Sequence, residues 1–205
     1  MALGLRVALN QKTQTSDLRP LSIMQTIKRE LNEDGVLIEE TWMCDGQIHR
    51  TDGPASLYWD ADGTLRHEAW FLYGKAHRTD GPAKKTWRST DGTLSAEMWF
   101  QNDQLHRTDA PAQKEWFPDG TLFYEAWFLH GKVHRTDGPA KKSWRRTDGT
   151  LADERWYLDG KETSHRVVIL TRVRAKVLRS SHLLIFASAV QCVSTDSLSV
   201  IGGFM

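Results

Sequence analysis

Cysteine is nearly absent: Cys44 and Cys192 are the two in 205 residues. Two thiols so far apart define neither a disulfide framework nor a metal-ligand spacing, so a reducing, cytoplasmic setting is expected. An excess of one charge is missing as well. The net charge of +1 gives no overall electrostatic pull toward nucleic acid, which depends on basic charge. No apolar run reaches the ~18 residues of a transmembrane candidate. The opening MALGLRVALN has one Arg and a short apolar stretch, and is not read as a secretory leader. There is no nucleophile elbow, phosphate loop or His-based triad, so no enzymatic activity and no cofactor are expected.

What is present is tryptophan, nine in all, every one between Trp42 and Trp156, in a chain that is 40% apolar and 26% charged. The charge is unevenly placed. Arg6, Lys12 and Arg19 make the first part basic, Arg166, Arg172, Arg174, Lys176 and Arg179 make the last part basic, and the middle is acidic.

The middle is a repeat. "HRTDGPA" begins at His49, His77 and His134, and "HRTDAPA" at His106, giving spacings of 28, 29 and 28. Gly35, Gly63, Gly92, Gly120 and Gly149 form a second column. One Trp series (Trp42, Trp70, Trp99, Trp127, Trp156) follows those glycines by seven residues, and a second (Trp59, Trp87, Trp116, Trp144) follows the histidines by ten. Glu40, Glu68, Glu97, Glu125 and Glu154 make a further column. The extra residue of alternate units lies in a turn, "WRSTDG" against "WDADG", where insertion is tolerated. The 27 residues from Glu68 and the 27 from Glu125 differ at four places, as expected from duplication of a two-unit block.

Each unit reads as two strands. "TLRHEAWFL" alternates with period 2, placing Leu65, His67, Ala69 and Phe71 on one face and Arg66, Glu68, Trp70 and Leu72 on the other. A tight turn ("YGK", "NDQ", "HGK") leads to a returning strand such as "AKKTW", and Asp-Gly turns the chain again. Pro54, Pro82, Pro111 and Pro139 cannot donate to a ladder, so the strand must break or bulge there. Short links make successive strands antiparallel. The predicted fold is all-β: about nine or ten strands in an elongated, single-layer antiparallel meander of tandem hairpins, period 28 or 29, with irregular extensions at both ends.

These columns resemble the MORN repeat, more closely its variant form in which "DGKL…WYxNGKxHG" recurs. Gly63, Trp70, Gly74 and Lys75 carry the likeness in one unit, and Gly120, Trp127, Gly131 and Lys132 in another. The "HRTDGPA" insertion departs from that pattern and is of a kind met in large DNA viruses, phages and some bacteria. The likeness covers residues 24–162. It implies an extended antiparallel sheet and a non-enzymatic binding or scaffolding role, without naming a shared partner.

Repeat-equivalent residues two strands apart are separated by ~10 Å. A zinc ion needs donors within ~2.1 Å. His49, His77, His106 and His134 therefore cannot share one ion. They and Asp52, Asp80, Asp109 and Asp137 read as structural, Asp accepting from loop N–H groups and His packing or capping there. The Glu column forms a row, whereas a glycosidase needs a flanked cleft. The nine Trp, Trp42, Trp59, Trp70, Trp87, Trp99, Trp116, Trp127, Trp144 and Trp156, read first as packing and second as a candidate interaction surface. Lys84 with Lys85, and Lys141 with Lys142, are basic pairs able to meet phosphates.

Residues 1–23 carry no column and read as a disordered extension, with Met24 as an original start. Residues 163–205 lose the register as a frameshift or read-through would, or act as a basic amphipathic membrane-surface segment or a cap on the last repeat. The expected function is an intracellular scaffold for another protein, in a host cytoplasm if the chain is viral. A carbohydrate-binding module using Trp rows, or a membrane-surface or antitoxin-like binder, is the alternative. Self-association through edge strands is also expected.

Overall fold

A computed structural model describes residues 25–171 and 174. The readings of residues 1–23 and of most of 163–205 lie outside these residues.

The Asp-Gly-Thr segments set the first turn of each unit. Asp62 Oδ1 accepts the Thr64 N–H at 2.9 Å, and Asp91, Asp119 and Asp148 do the same for Thr93, Thr121 and Thr150. Gly63 follows at φ 83°, a left-handed position that glycine takes without a Cβ clash. The strands on either side of these turns pair antiparallel: Ser56–Trp59 with Leu65–Ala69, Lys84–Trp87 with Leu94–Met98, Gln113–Trp116 with Leu122–Ala126, and Lys141–Trp144 with Leu151–Leu158. Gln25–Leu31 and Leu37–Cys44 precede them and Lys161–Thr163 follows. Sequence order equals spatial order along the path of this open sheet, with the short strand Gln47–Ile48 pairing off it. The fold is thus an antiparallel meander that grows by one hairpin per repeat.

The predicted nine or ten strands become eleven along this path, ten long ones and the short Lys161–Thr163. The expected continuous strand "TLRHEAWFL" is also divided. Leu65–Ala69 stays in the main sheet, Trp70 belongs to neither strand, and Phe71–Leu72 pairs with Lys75–Ala76 in a separate short hairpin. The same division occurs at Trp99 and Trp127. The cause is a change of hydrogen-bond partner. Trp70 N–H donates to Ala83 O at 2.7 Å, while Trp70 O accepts from His77 N–H at 3.1 Å. Turns at the hairpin tips have consecutive left-handed residues, Tyr73 (φ 48°) and Gly74 (φ 74°), or Asn102 (φ 50°) and Asp103 (φ 65°). Such turns match the right-handed twist of the strands they join.

Pro54, Pro82, Pro111 and Pro139 lie in the links between short hairpins and returning strands, as a residue without an N–H requires. A second irregularity falls at the other Trp series. The register shifts immediately before Trp59, Trp87, Trp116 and Trp144, each of which opposes a Leu. A β-bulge of this kind bends a strand and increases its twist.

A single layer has little interior. The buried apolar side chains are small, chiefly Ala55, Ala69, Ala76, Ala83, Ala112, Ala126 and Ala140, joined by Cys44 and Val168. All nine Trp are half-buried. Apolar stabilisation therefore comes from partial burial of large rings laddered along the array and from each unit's contact with the next.

Candidate functional site: the repeated corner and its surfaces

The seven residues of "HRTDGPA" wrap around the Trp of their own unit. In the second copy, the Arg78 guanidinium lies over the Trp70 ring, 4.0 Å from its centre. Arg78 Nε donates to Asp80 Oδ1 at 2.9 Å, and Nη1 donates to Pro82 O at 3.5 Å. Arg78 N–H donates to Phe100 O of the next unit at 3.1 Å. One side chain thus ties ring, turn and returning strand together, and its backbone reaches the neighbouring hairpin. Arg50 and Arg135 repeat every contact, over Trp42 and Trp127, with Asp52 and Pro54 or with Asp137 and Pro139.

The glycine of the motif makes room for this guanidinium. A Cβ on Gly81 would lie 2.7 Å from Arg78 Cζ, and one on Gly53 would lie 2.7 Å from Arg50 Cζ. Ala110 puts a real Cβ at this place in the third copy. There Arg107 sits 3.8 Å from the Trp99 ring centre and its contact with Asp109 lengthens to 3.2 Å. Among the described residues Arg107 makes no bond to Pro111 O. The guanidinium yields and the corner survives.

The Asp partner differs from the sequence expectation: it is chiefly the Arg two residues earlier, not a loop N–H. The Arg hydrogen bond is the main cause that lowers the carboxyl pKa of Asp52 and Asp80. At Asp109, where the Arg contact is longer, its own backbone N–H comes first and Arg107 second. Sequence reasoning passed over Arg50, Arg78, Arg107 and Arg135, although their recurrence in every copy was a readable signal.

Each motif His acts on the next unit. His49 Nδ1 accepts the Tyr73 N–H at 3.1 Å, His77 the Asn102 N–H at 3.3 Å, His106 the His130 N–H at 3.1 Å and His134 the Asp159 N–H at 3.1 Å. Every capped residue is the first left-handed residue of a hairpin tip. At His77 and His134 the same Nδ1 also lies 3.1 Å from Asn102 Oδ1 and from Asp159 Oδ1, oxygens that accept when Nδ1 carries the ring hydrogen. His49 packs at a tilt against Tyr73 and His106 against His130, with ring centres 4.3 and 4.4 Å apart. The copies are not brought together around one point. Each is spent at its own junction.

The Glu column forms one row across the sheet. Cross-strand neighbours run Arg29, Glu40, Leu57, Glu68, Lys85, Glu97, Lys114, Glu125, Lys142 and Glu154. Charge alternates along the row except at Leu57. Lys85 reaches Glu68 at 2.9 Å, Lys142 reaches Glu125 at 3.1 Å and Arg29 reaches Glu40 at 2.7 Å. Lys85 and Lys142, read from sequence as phosphate-meeting, are neutralised here. Lys84 and Lys141 face aromatic rings, Lys84 Nζ 4.9 Å from the Phe100 ring centre and Lys141 Nζ 5.1 Å from that of Tyr157.

The two Trp series differ in their cover. In the first, Trp42, Trp70, Trp99 and Trp127 have one ring face covered by Arg, and Trp156 packs against His165 with ring centres 5.3 Å apart. In the second, Trp59, Trp87, Trp116 and Trp144 sit half-buried at the bulges. The exposed large side chains of the array are Tyr58, Tyr73, Phe123 and Leu151, of which the first three occupy positions that vary between units. A search for shared columns passes over those three for that reason.

After Lys161–Thr163 a short helix spans 165–171, buries Val168 and exposes Val167, Ile169 and Leu170. No helix of the described residues is long and apolar enough to cross a membrane. No family model, curated protein or solved structure matches the chain.

Proposed function

We propose that this chain is a non-enzymatic repeat scaffold that binds protein. The observation that carries the reading is that the motif's polar side chains are spent on the array itself, in the same way in each copy: Arg on Trp and Asp, His on the next hairpin tip. Catalysis needs one asymmetric set of groups, and repetition of a single contact pattern builds a rigid, extended frame instead. Such a frame offers backbone edges and variable side chains, here Tyr58, Tyr73 and Phe123, to a partner. The likeness to MORN repeats supports the same role, and a reducing compartment suits the two thiols.

Affinity capture with the full-length chain, followed by direct binding to each purified candidate, tests this. A defined complex weakened by Tyr73→Ala or Phe123→Ala is expected. Turnover of a substrate by purified chain, lost when one motif copy alone is altered, would overturn it. The carbohydrate alternative is weakened at the first Trp series by the covering guanidinium, and would fall on Trp59, Trp87, Trp116 and Trp144.

A further inference from the structure

The two ends of the main sheet are complementary halves of one repeat. Gln25–Leu31 carries Lys28 and Arg29 where a returning strand carries Lys84 and Lys85. It meets its following strand in the same register, Arg29 opposite Glu40 as Lys85 is opposite Glu97, with the shift just before Leu31 as it is just before Trp87. Among the described residues it is a returning strand without the outgoing strand that precedes the others. Leu151–Leu158 is the converse. In the unit before it, Tyr124, Glu125 and Ala126 pair with Ser143, Lys142 and Lys141 of the strand that follows. Asp153, Glu154 and Arg155 have no such following strand among the described residues, because Lys161–Thr163 pairs only with Trp156, Tyr157 and Leu158. Residues 151–155 are all exposed.

Side chains match this vacancy. Glu68, Glu97 and Glu125 each have a Lys partner. Glu154 ends the charge row with no ion pair among the described residues, and Arg29 begins it. The long strands number ten, so the outgoing strand at one end runs antiparallel to the returning strand at the other when the meander is continued.

We infer that residues 151–155 of one copy receive strand Gln25–Leu31 of a second copy, head to tail. This rests on the protein-binding reading and names a partner for it. Continuing the array's register puts Glu154 opposite Arg29, Asp153 opposite Glu30 and Arg155 opposite Lys28. The first pair extends the alternation of charge. The other two are like-charged, each with an opposite charge on the diagonal. The contact is heterologous, so it joins copies head to tail, into a ring where the rotation closes and an open chain where it does not. A contact of one short strand pair is at the weak end of protein interfaces, so association depends on concentration.

Cross-linking of full-length chains tests the register. Cys192→Ser is the background, and buried Cys44 is kept. One chain carries Glu154→Cys and the other Arg29→Cys. Facing strand residues have Cα atoms ~4.5–5.5 Å apart, within disulfide reach. Mild oxidation of the mixture is expected to give the mixed dimer in excess of either same-variant dimer, and a chain carrying both substitutions is expected to form a ladder of covalent oligomers. Dimers formed only between identical variants would overturn the inference. Sedimentation velocity gives an independent reading without touching Arg29. The unmodified chain should associate as concentration rises, and Glu154→Arg should shift it toward monomer. An unmodified chain that stays monomeric throughout also overturns the inference. If that monomer still binds a different protein, the scaffold reading stands without it.

Discussion

Arg78 occupies the space that Gly81 leaves empty: its Cζ lies 2.7 Å from where a Cβ on Gly81 would fall and 4.0 Å from the centre of the Trp70 ring. Glycine on one side and an indole on the other form a slot for a planar cation. Such stacking contributes ~0.5–2 kcal/mol depending on its desolvation. The slot recurs at Arg50 and Arg135, and the third copy shows what happens when it narrows.

Gly81→Ala is expected to be mild, because the atoms it meets are the far end of a side chain that yields in the third copy. A loss below ~1 kcal/mol in urea unfolding is predicted, with a longer Arg78–Asp80 contact like that of Arg107 and Asp109. Gly131→Ala should cost more, ~1–2 kcal/mol, since Gly131 stands at φ 75° and a Cβ there strains the backbone itself. Equal losses at the two sites would contradict this distinction between side-chain room and backbone freedom.

Acid should weaken the fold in two stages. Burial, aided by Lys84, lowers the pKa of His67, and burial, aided by His130, lowers that of His106. The unfolded chain then binds more protons than the folded one, so this stability is present above the unfolded value of ~6.5 and is lost as pH falls toward the folded values. The hydrogen-bonded carboxylates of Asp52, Asp80 and Asp119 have lowered values, and their contribution is lost further down, below ~3.9. Urea midpoints followed from neutral pH downward check this. His67→Gln should shrink the upper stage and leave the lower one. An upper stage unchanged by both His67→Gln and His106→Gln would contradict the assignment.

Leu57 interrupts the charge row between Glu40 and Glu68. Leu57→Lys restores the alternation but buries less apolar surface. Cross-strand ion pairs contribute ~0.2–1 kcal/mol and are screened by salt. The variant should therefore match the parent at low salt and fall below it at ~1 M salt, where the Debye length is ~3 Å. A difference from the parent that does not change with salt would show that Leu57 is held by packing alone.

The meander was legible because its information is local. Asp-Gly turns, period-2 alternation and the prolines each fix a few neighbouring residues, and the repeat then copies that decision along the chain. The break at Trp70 was not legible, since it depends on the Trp N–H choosing Ala83 O, a partner set by the proline link. The corner was half legible. His and Asp drew attention as chemical residue types, whereas the organising cation is the Arg between them, seen only when its Trp is placed beneath it. The His caps reach 24 or 25 residues ahead, a distance no local pattern reports.

"HRTDGPA" is a structural device used alike in its copies. The most direct measurement compares unfolding free energies of Arg78→Ala and Arg135→Ala, with and without EDTA. Their surroundings match: ring distance 4.0 Å in both, the same Asp partner two residues on and the same Pro carbonyl. Each should lose ~1–3 kcal/mol, by similar amounts and without a chelator effect. A large loss in one copy with little in the other, or stability that falls when EDTA is added, would contradict the claim and make the motif a site.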